Sequence, residues 1–218
     1  MYVNNIHISE YGAELEYGYK VSGASIETKY SSYGQFPRLH DQRAGVKKIE
    51  ATLTFSAESS EEAYGKYSEL CKILIGNLEI VMPDRAMYSA FLTDIGEEEY
   101  ITEGCMDVSF SFVGVKHGPL QIVTGNRLIC LSTLPKTDCK LTATVGTSGS
   151  NYKLGSVIFP AVTAGEVLCV DGITKRILVD GVPAAQRAEW TQFPYLVPGE
   201  NTIECADPVV VEYYPGYF

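Results

Sequence analysis

The chain has 218 residues, 45% of them hydrophobic, with a formal net charge of −10 and a sequence pI near 4.8. That acidic balance argues against clamping a nucleic-acid backbone, which needs clustered Lys and Arg to displace counterions, and against docking on an anionic membrane surface. Fifteen Tyr and eight Phe against a single Trp lean the composition toward β structure, and no stretch approaches the 18 apolar residues of a membrane-spanning helix.

The first residues, MYVNNIHISEYGAELEYG, offer neither a basic start nor an apolar run, so no signal peptide is expected and synthesis in a cytoplasm follows. Residues 34–45 (GQFPRLHDQRAG) read as a long polar loop. Next, VKKIEATLTF alternates strictly, with Ile49, Ala51, Leu53 and Phe55 on one face and Glu50, Thr52 and Thr54 on the other. One helix is expected over about 59–75. Ser59 and Glu62 fit a capping box, Ala63, Tyr67, Leu70 and Leu74 form an apolar stripe, and Gly76 follows.

LEIVM, a Pro83-Asp84 turn and MYSAFLTDI predict two strands with a tight connection. The run Glu97-Glu98-Glu99 reads as a solvated acidic loop, and CMDVSFSFV as a second alternating strand. Gly118-Pro119 breaks the pattern within residues 116–127, which places a domain boundary near 120. The expected domains are 1–120, an antiparallel β-barrel or sandwich with one packed helix, and 121–218. The second contains only short strands (LTATV, SVIFPAV, EVLCV, KRILV, NTIEC, VVVEYY) with turn signals at Asp171-Gly172 and Asp180-Gly181, which predicts a jelly-roll β-sandwich.

No catalytic constellation emerges, and the chain does not read as an enzyme. The three histidines (His7, His40, His117) are far apart and linked by no HExxH or HxH pattern. Ser148 lacks the GxSxG context of a nucleophile elbow, and neither GxGxxG nor a Walker pattern occurs. Six scattered cysteines form no CxxC, so no metal or other cofactor is implied and the thiols read as reduced core residues, Cys130 and Cys139 being the pair placed for a late-formed bridge. Trp190 is open to two readings, a plug in a core or interface and a stacking platform for sugars.

The C-terminal stretch FPYLVPGENTIECADPVVVEYYPGYF carries the most specific signal. Phe193-Pro194, then Pro198-Gly199 with Asn201, then a closing strand ending at Tyr214-Pro215 resembles the end of the distal tail proteins of long, non-contractile bacteriophage tails. Pro198 fixes φ at the first turn position and Gly199 accepts φ > 0 at the next, as a type II turn requires. The layout of the first half is similar too.

The resemblance implies a virion structural protein at the phage tail tip. It would be a homo-hexameric ring between the tail tube protein and the tail-tip hub, tail-associated protein or fibre. Its first domain would be tail-tube-like and line the DNA channel. Its second would be a galectin-like sandwich able to support receptor-binding proteins. DNA would pass through without specific binding, and no part would enter a membrane. On that reading Phe36, Arg38, Leu39 and Arg43 are the candidate subunit-interface loop, and Glu97, Glu98 and Glu99 a candidate lumen-facing acidic loop. Both halves are short, which favours a scaffold. A carbohydrate-binding sandwich used in host adsorption is the alternative.

Overall fold

The computed structural model describes residues 1–32, 36 and 38–218, apart from the side chains of residues 39 and 41–44. Among these the chain is mostly β with one α-helix, and it divides into two compact units, Met1–His117 and Gly118–Tyr217.

The first unit contains β1 (Tyr2–Val3), β2 (Ile6–His7), β3 (Ala13–Glu14), β4 (Tyr19–Val21), β5 (Ile26–Ser31), β6 (Arg38–Ala44), β7 (Lys47–Ser56), α1 (Ser60–Ile73), β8 (Leu78–Val81), β9 (Met87–Thr102) and β10 (Cys105–His117). An antiparallel sheet runs β2-β1-β8-β9-β10-β7-β3, with β4 also on β7. Strand alternation decides its two faces. Ile49, Ala51, Leu53 and Phe55 of β7 stand opposite Phe112, Phe110, Val108 and Met106 of β10, and all eight are buried. Helix α1 covers that face. Tyr67 meets Phe55 edge-on at 5.6 Å and Phe110 at 6.3 Å, while Ala63, Leu70 and Leu74 are buried.

The Ser59 hydroxyl accepts from the Glu62 amide at 3.2 Å, as the capping pattern predicts, but the Glu62 carboxylate reaches back to the Glu58 amide at 3.3 Å, one residue earlier than a capping box requires. Strand β9 is far longer than the sequence suggests, because its outer part carries no alternating apolar residues. Three register shifts against β10 interrupt it. Each extra residue sharpens the local bend and twist, so the sheet curls.

The second unit contains β11 (Gln121–Thr124), β12 (Arg127–Cys130), β13 (Thr137–Thr144), β14 (Gly149–Leu154), β15 (Val157–Val162), β16 (Val167–Asp171), β17 (Arg176–Val179), β18 (Val182–Pro183), β19 (Glu189–Trp190), β20 (Tyr195–Leu196), β21 (Gly199–Thr202) and β22 (Val209–Tyr213). One sheet runs β11-β22-β13-β16-β17-β18, with β20 also on β13, and smaller sheets are β14-β15-β19 and β12-β21. Leu141, Val170 and Val211 of the first pack in one core with Leu154, Val157 and Phe159 of β14 and β15, which makes a β-sandwich.

The β17–β18 turn has both Asp180 and Gly181 at positive φ (52° and 77°), the requirement of a type I′ hairpin. A single 3₁₀ turn, Ala185–Arg187, interrupts what the sequence reads as wholly strand and loop. Gly199 sits at φ 87°. Its turn is pinned by Asn201, whose Oδ1 accepts from the Val197 amide at 2.9 Å while Nδ2 donates to the carbonyls of Val197 and Gly199 at 2.7 and 2.9 Å.

Two outcomes follow for chemical denaturation of the full chain. Phe110→Ala should cost about 3–5 kcal/mol in the transition of the first unit, since a buried ring leaves a cavity that the ladder cannot close. Asn201→Ala should cost about 1–2 kcal/mol in the second, for loss of three side-chain bonds to one turn. A full effect in the opposite unit, or none, would contradict these assignments.

Candidate functional site: a polar sheet face and an exposed hairpin

The face of the first-unit sheet opposite the core is built by the other half of each alternating strand. Thr52 meets Ser109 at 2.9 Å between hydroxyls. The Thr54 hydroxyl donates to Asp107 Oδ1 at 2.6 Å and lies 3.3 Å from Glu16 Oε2. Asp107 is only 8% exposed, so this short bond supports a carboxylate that water barely reaches.

Register places Glu14 beside Thr54, Lys20 beside Glu50, Asp94 beside Ser111 and Glu99 beside Asp107. Lys48 pairs with Glu50 at 2.7 Å, which draws the Glu50 carboxyl below its ordinary pKa and lifts the lysine above its own. Around these strands the face therefore carries Glu14, Glu16, Glu50, Asp94, Glu99 and the nearly buried Asp107 against Lys20 and Lys48. The potential is felt at Tyr17, whose hydroxyl is pushed up in pKa first by Glu16 and then by Asp107. A groove of about 520 Å³ crosses the face, lined by Tyr17, Lys20, Glu50, Thr52, Asp94 and Ser109 among others.

The acidic run lies in β9, not in a loop. Three consecutive glutamates carry no apolar alternation, so sequence periodicity cannot see the strand; main-chain pairing with β10 makes it. The consequence is that the three part company. Glu99 faces with Asp107 on the polar side, and Glu98 stands opposite buried Val108 on the helix side. Glu98 there accepts from the Tyr100 hydroxyl at 3.3 Å. Glu97 falls at the register shift, next to Gly96.

The predicted polar loop also proves to be largely strand. Residues 38–44 form β6, paired with β5 as a separate two-stranded sheet, because Ile26–Ser31 supplies a partner whose side chains are almost all exposed and so show no buried face in the sequence. Of the four candidate interface residues, Phe36 is 74% exposed and Arg38 is exposed. The side chains of Leu39 and Arg43, like Gly34, lie outside the described residues. The sequence missed Ile26 and Tyr30, exposed at 58% and 65% on the same hairpin; an Ile and a Tyr in an otherwise polar stretch were the available signal.

In the second unit the C-terminal motif is structural. Phe193 packs on the core, the Pro194 carbonyl faces the Cys139 amide at 3.4 Å, and the Pro215 carbonyl accepts from Gly118 at 2.8 Å. Pro198 and Tyr214 are exposed. Trp190 is not a core plug: it lies on the edge strand β19 and is 41% exposed. The six cysteines are free thiols, and burial pushes Cys139 up to about 12. Among the described residues no cluster of three metal-ligating side chains occurs, and the histidines make local contacts, His7 to Ser9, His40 to Ser31 and His117 to Glu79.

No protein-family model matches the chain, and no curated protein matches it. Solved structures do. The crystal structure of the Dit (gp 19.1) protein of phage SPP1, described as a paradigm of the hub adsorption apparatus in phages infecting Gram-positive bacteria, aligns with TM-score 0.71 at 14% identity, covering 99% of this chain and 98% of that one. The baseplate of phage P2 in its activated conformation with Ca aligns with TM-score 0.50 at 8% identity, over 94% of this chain and 90% of its own. The chain therefore has, from end to end, the fold of the SPP1 Dit protein, as its C-terminal residues led us to expect.

Proposed function

We propose that this protein is a distal tail protein. In this reading it forms a homo-hexameric ring at the end of a phage tail, joins the tail tube to the tail-tip hub or fibre, and lets DNA pass through its centre. The observation that carries the reading is the fold likeness over 99% of the chain, since both units and their order must coincide to give it. The second unit would stand as the platform for receptor-binding proteins, and the particle would be the virion itself.

Two features of the first unit support the ring. A two-stranded hairpin without a core of its own is marginal in water, and β5–β6 exposes Ile26, Tyr30 and Phe36. A neighbouring copy would cover them, as head-to-tail contacts in a closed ring require. The polar sheet face, with its excess of carboxylate, suits a channel wall that repels phosphate and does not retain it. Of the acidic run, Glu99 belongs to that wall, with Glu97 at its bulge, and Glu98 does not.

Negative-stain electron microscopy of the concentrated protein should show six-fold rings with a central hole. Monomers alone, both free and in the presence of tail tubes, would overturn the assignment. The double variant Tyr30→Ser/Phe36→Ser should fold with unchanged thermal stability yet fail to form rings. Rings of normal abundance would remove the hairpin from the interface. In assembled particles Glu97→Lys/Glu99→Lys should slow genome ejection, whereas Glu98→Lys should leave it unchanged; equal rates for both variants would refute the proposed lumen face.

A further inference from the structure

Helix α1 and the outer part of β9 gather three tyrosines around one carboxylate on the helix side of the first-unit sheet. Tyr64 and Tyr67 lie three residues apart on α1 and share a face, and their rings meet at 5.6 Å with planes 60° apart. Tyr67 is anchored beneath by Phe55 at 5.6 Å and Phe110 at 6.3 Å. Register fixes what lies beside it. One row across the sheet reads Phe55, Met106, Tyr100, and the next row toward Phe110 reads Leu53, Val108, Glu98. Tyr67 therefore stands over β7 and β10 within these rows, and Tyr100 and Glu98 come from the next strand, about 4.8 Å further along each. The Tyr100 hydroxyl in turn donates to Glu98 at 3.3 Å.

The electrostatics tie the same four residues together. Burial first, and the Glu98 carboxylate next, hold the Tyr100 hydroxyl above its ordinary pKa, with Tyr64 adding to the shift. Tyr67 is pushed up to about 12 by burial first, with Cys71, Glu98 and Tyr64 in support. Tyr64 and Tyr100 nevertheless keep 48% and 50% of their surface in solvent. Among the described residues Glu98 pairs with no lysine or arginine, whereas Glu50 and Glu62 each hold a lysine. A carboxylate set among three electron-rich rings makes a concentrated negative site, and what balances such a site is a cation.

We infer that this cluster binds a methylated organic cation, of the class of a trimethylammonium group. Its methyl groups would rest against Tyr64 and Tyr100, and its charge would be met by Glu98. A guanidinium or primary ammonium brings several N–H donors and needs as many acceptors. Glu98 already accepts from Tyr100 and offers few more. A trimethylammonium needs none, since rings and a nearby carboxylate hold it through diffuse charge. The cluster lies on the helix side of the sheet, apart from the acidic face proposed to line the channel, so the inference does not rest on the ring.

The intact protein would be titrated with choline chloride, with ethanolamine as the unmethylated counterpart and arginine methyl ester as the guanidinium one. Calorimetry would read affinity, and saturation-transfer NMR would read contact between the protein and the N-methyl protons. Choline linked through its hydroxyl to dextran would tell a polymer-borne group, which should bind more tightly, from a free solute, which should not. Saturable choline binding at millimolar concentration is expected, weakened about three- to tenfold by Tyr64→Ala and by Glu98→Gln. Glu200→Gln, which removes one charge from the second unit, should leave it unchanged. Glu98 is exposed and holds no cation, so Glu98→Gln should melt at the parent temperature and keeps the test valid even where Tyr64→Ala loosens the helix. No saturation transfer to choline, equal binding of ethanolamine, tighter binding of arginine methyl ester, or undiminished binding by Glu98→Gln would each overturn the inference, whatever the electron microscopy of the rings shows.

Discussion

The first unit depends on one ladder, β7 paired with β10 from Lys47↔Gly114 to Ser56↔Cys105 without a register shift. Because successive side chains point to opposite faces, fixing that register fixes everything on both sides of the sheet at once. On one side it aligns Phe55, Phe110 and Phe112 into the surface that α1 covers. On the other it aligns Thr52 with Ser109 and Thr54 with Asp107. A slip of one residue would put Asp107 against the helix and Phe110 in water. Stripping the already buried Asp107 of its Thr54 hydrogen bond and exposing the ring would each be costly, so the hydrophobic core and the acidic face cannot be separated in folding.

The partner on the other flank of β10 obeys a different rule. Strand β9 is interrupted three times, and each interruption leaves a residue without an opposite number. Where β7 supplies flat, regular pairing, β9 supplies bend. That division explains why the three glutamates end up apart. Glu98 and Glu99 alternate as strand residues must, but Glu97 sits where the alternation is broken. A Gly at 96 is suited to this place: a Cβ there would come 3.3 Å from the Ser109 Cβ, tighter than an undistorted ladder tolerates.

What could be read from the sequence, and what could not, divides along the same line. β7, β10 and α1 were legible because each buries one face, and burial writes a period of two or 3.6 into the residues. The capping Ser59 and the Asp180-Gly181 turn were legible because they need particular backbone conformations that few residues supply. Strands that bury nothing leave no such record. β5 and the far half of β9 are held by main-chain hydrogen bonds and keep most side chains exposed, so no period marks them, and residues 38–44 read as part of a polar loop. The acidic face was legible only in part: Glu97–Glu99 stood out as a run, whereas Asp107, Glu50 and Asp94 are separated in sequence and meet only across strands. Trp190 was visible as a residue, but its place on an edge strand beside Phe193 comes from tertiary structure alone.

The unburied strands carry a physical implication of their own. A hairpin such as β5–β6 must offset the entropy of ordering its backbone, about 1–2 kcal/mol per residue, and the side chains of β5 are almost all exposed. Exposed Ile26, Tyr30 and Phe36 represent burial that the isolated chain forgoes. Covering a fully exposed ring or branched side chain returns about 1.5–3 kcal/mol each. On the proposed reading, covering three such residues in the assembly would supply part of what ordering the hairpin costs. The negative charge of the chain opposes association only weakly. With a Debye length of about 8 Å at physiological salt, repulsion between copies is largely screened and cannot by itself prevent association. The balance then rests on the apolar surface brought together. On the proposed reading, the hairpin is therefore the segment whose ordering is coupled to assembly, while the β7–β10 ladder, complete within each copy, is not.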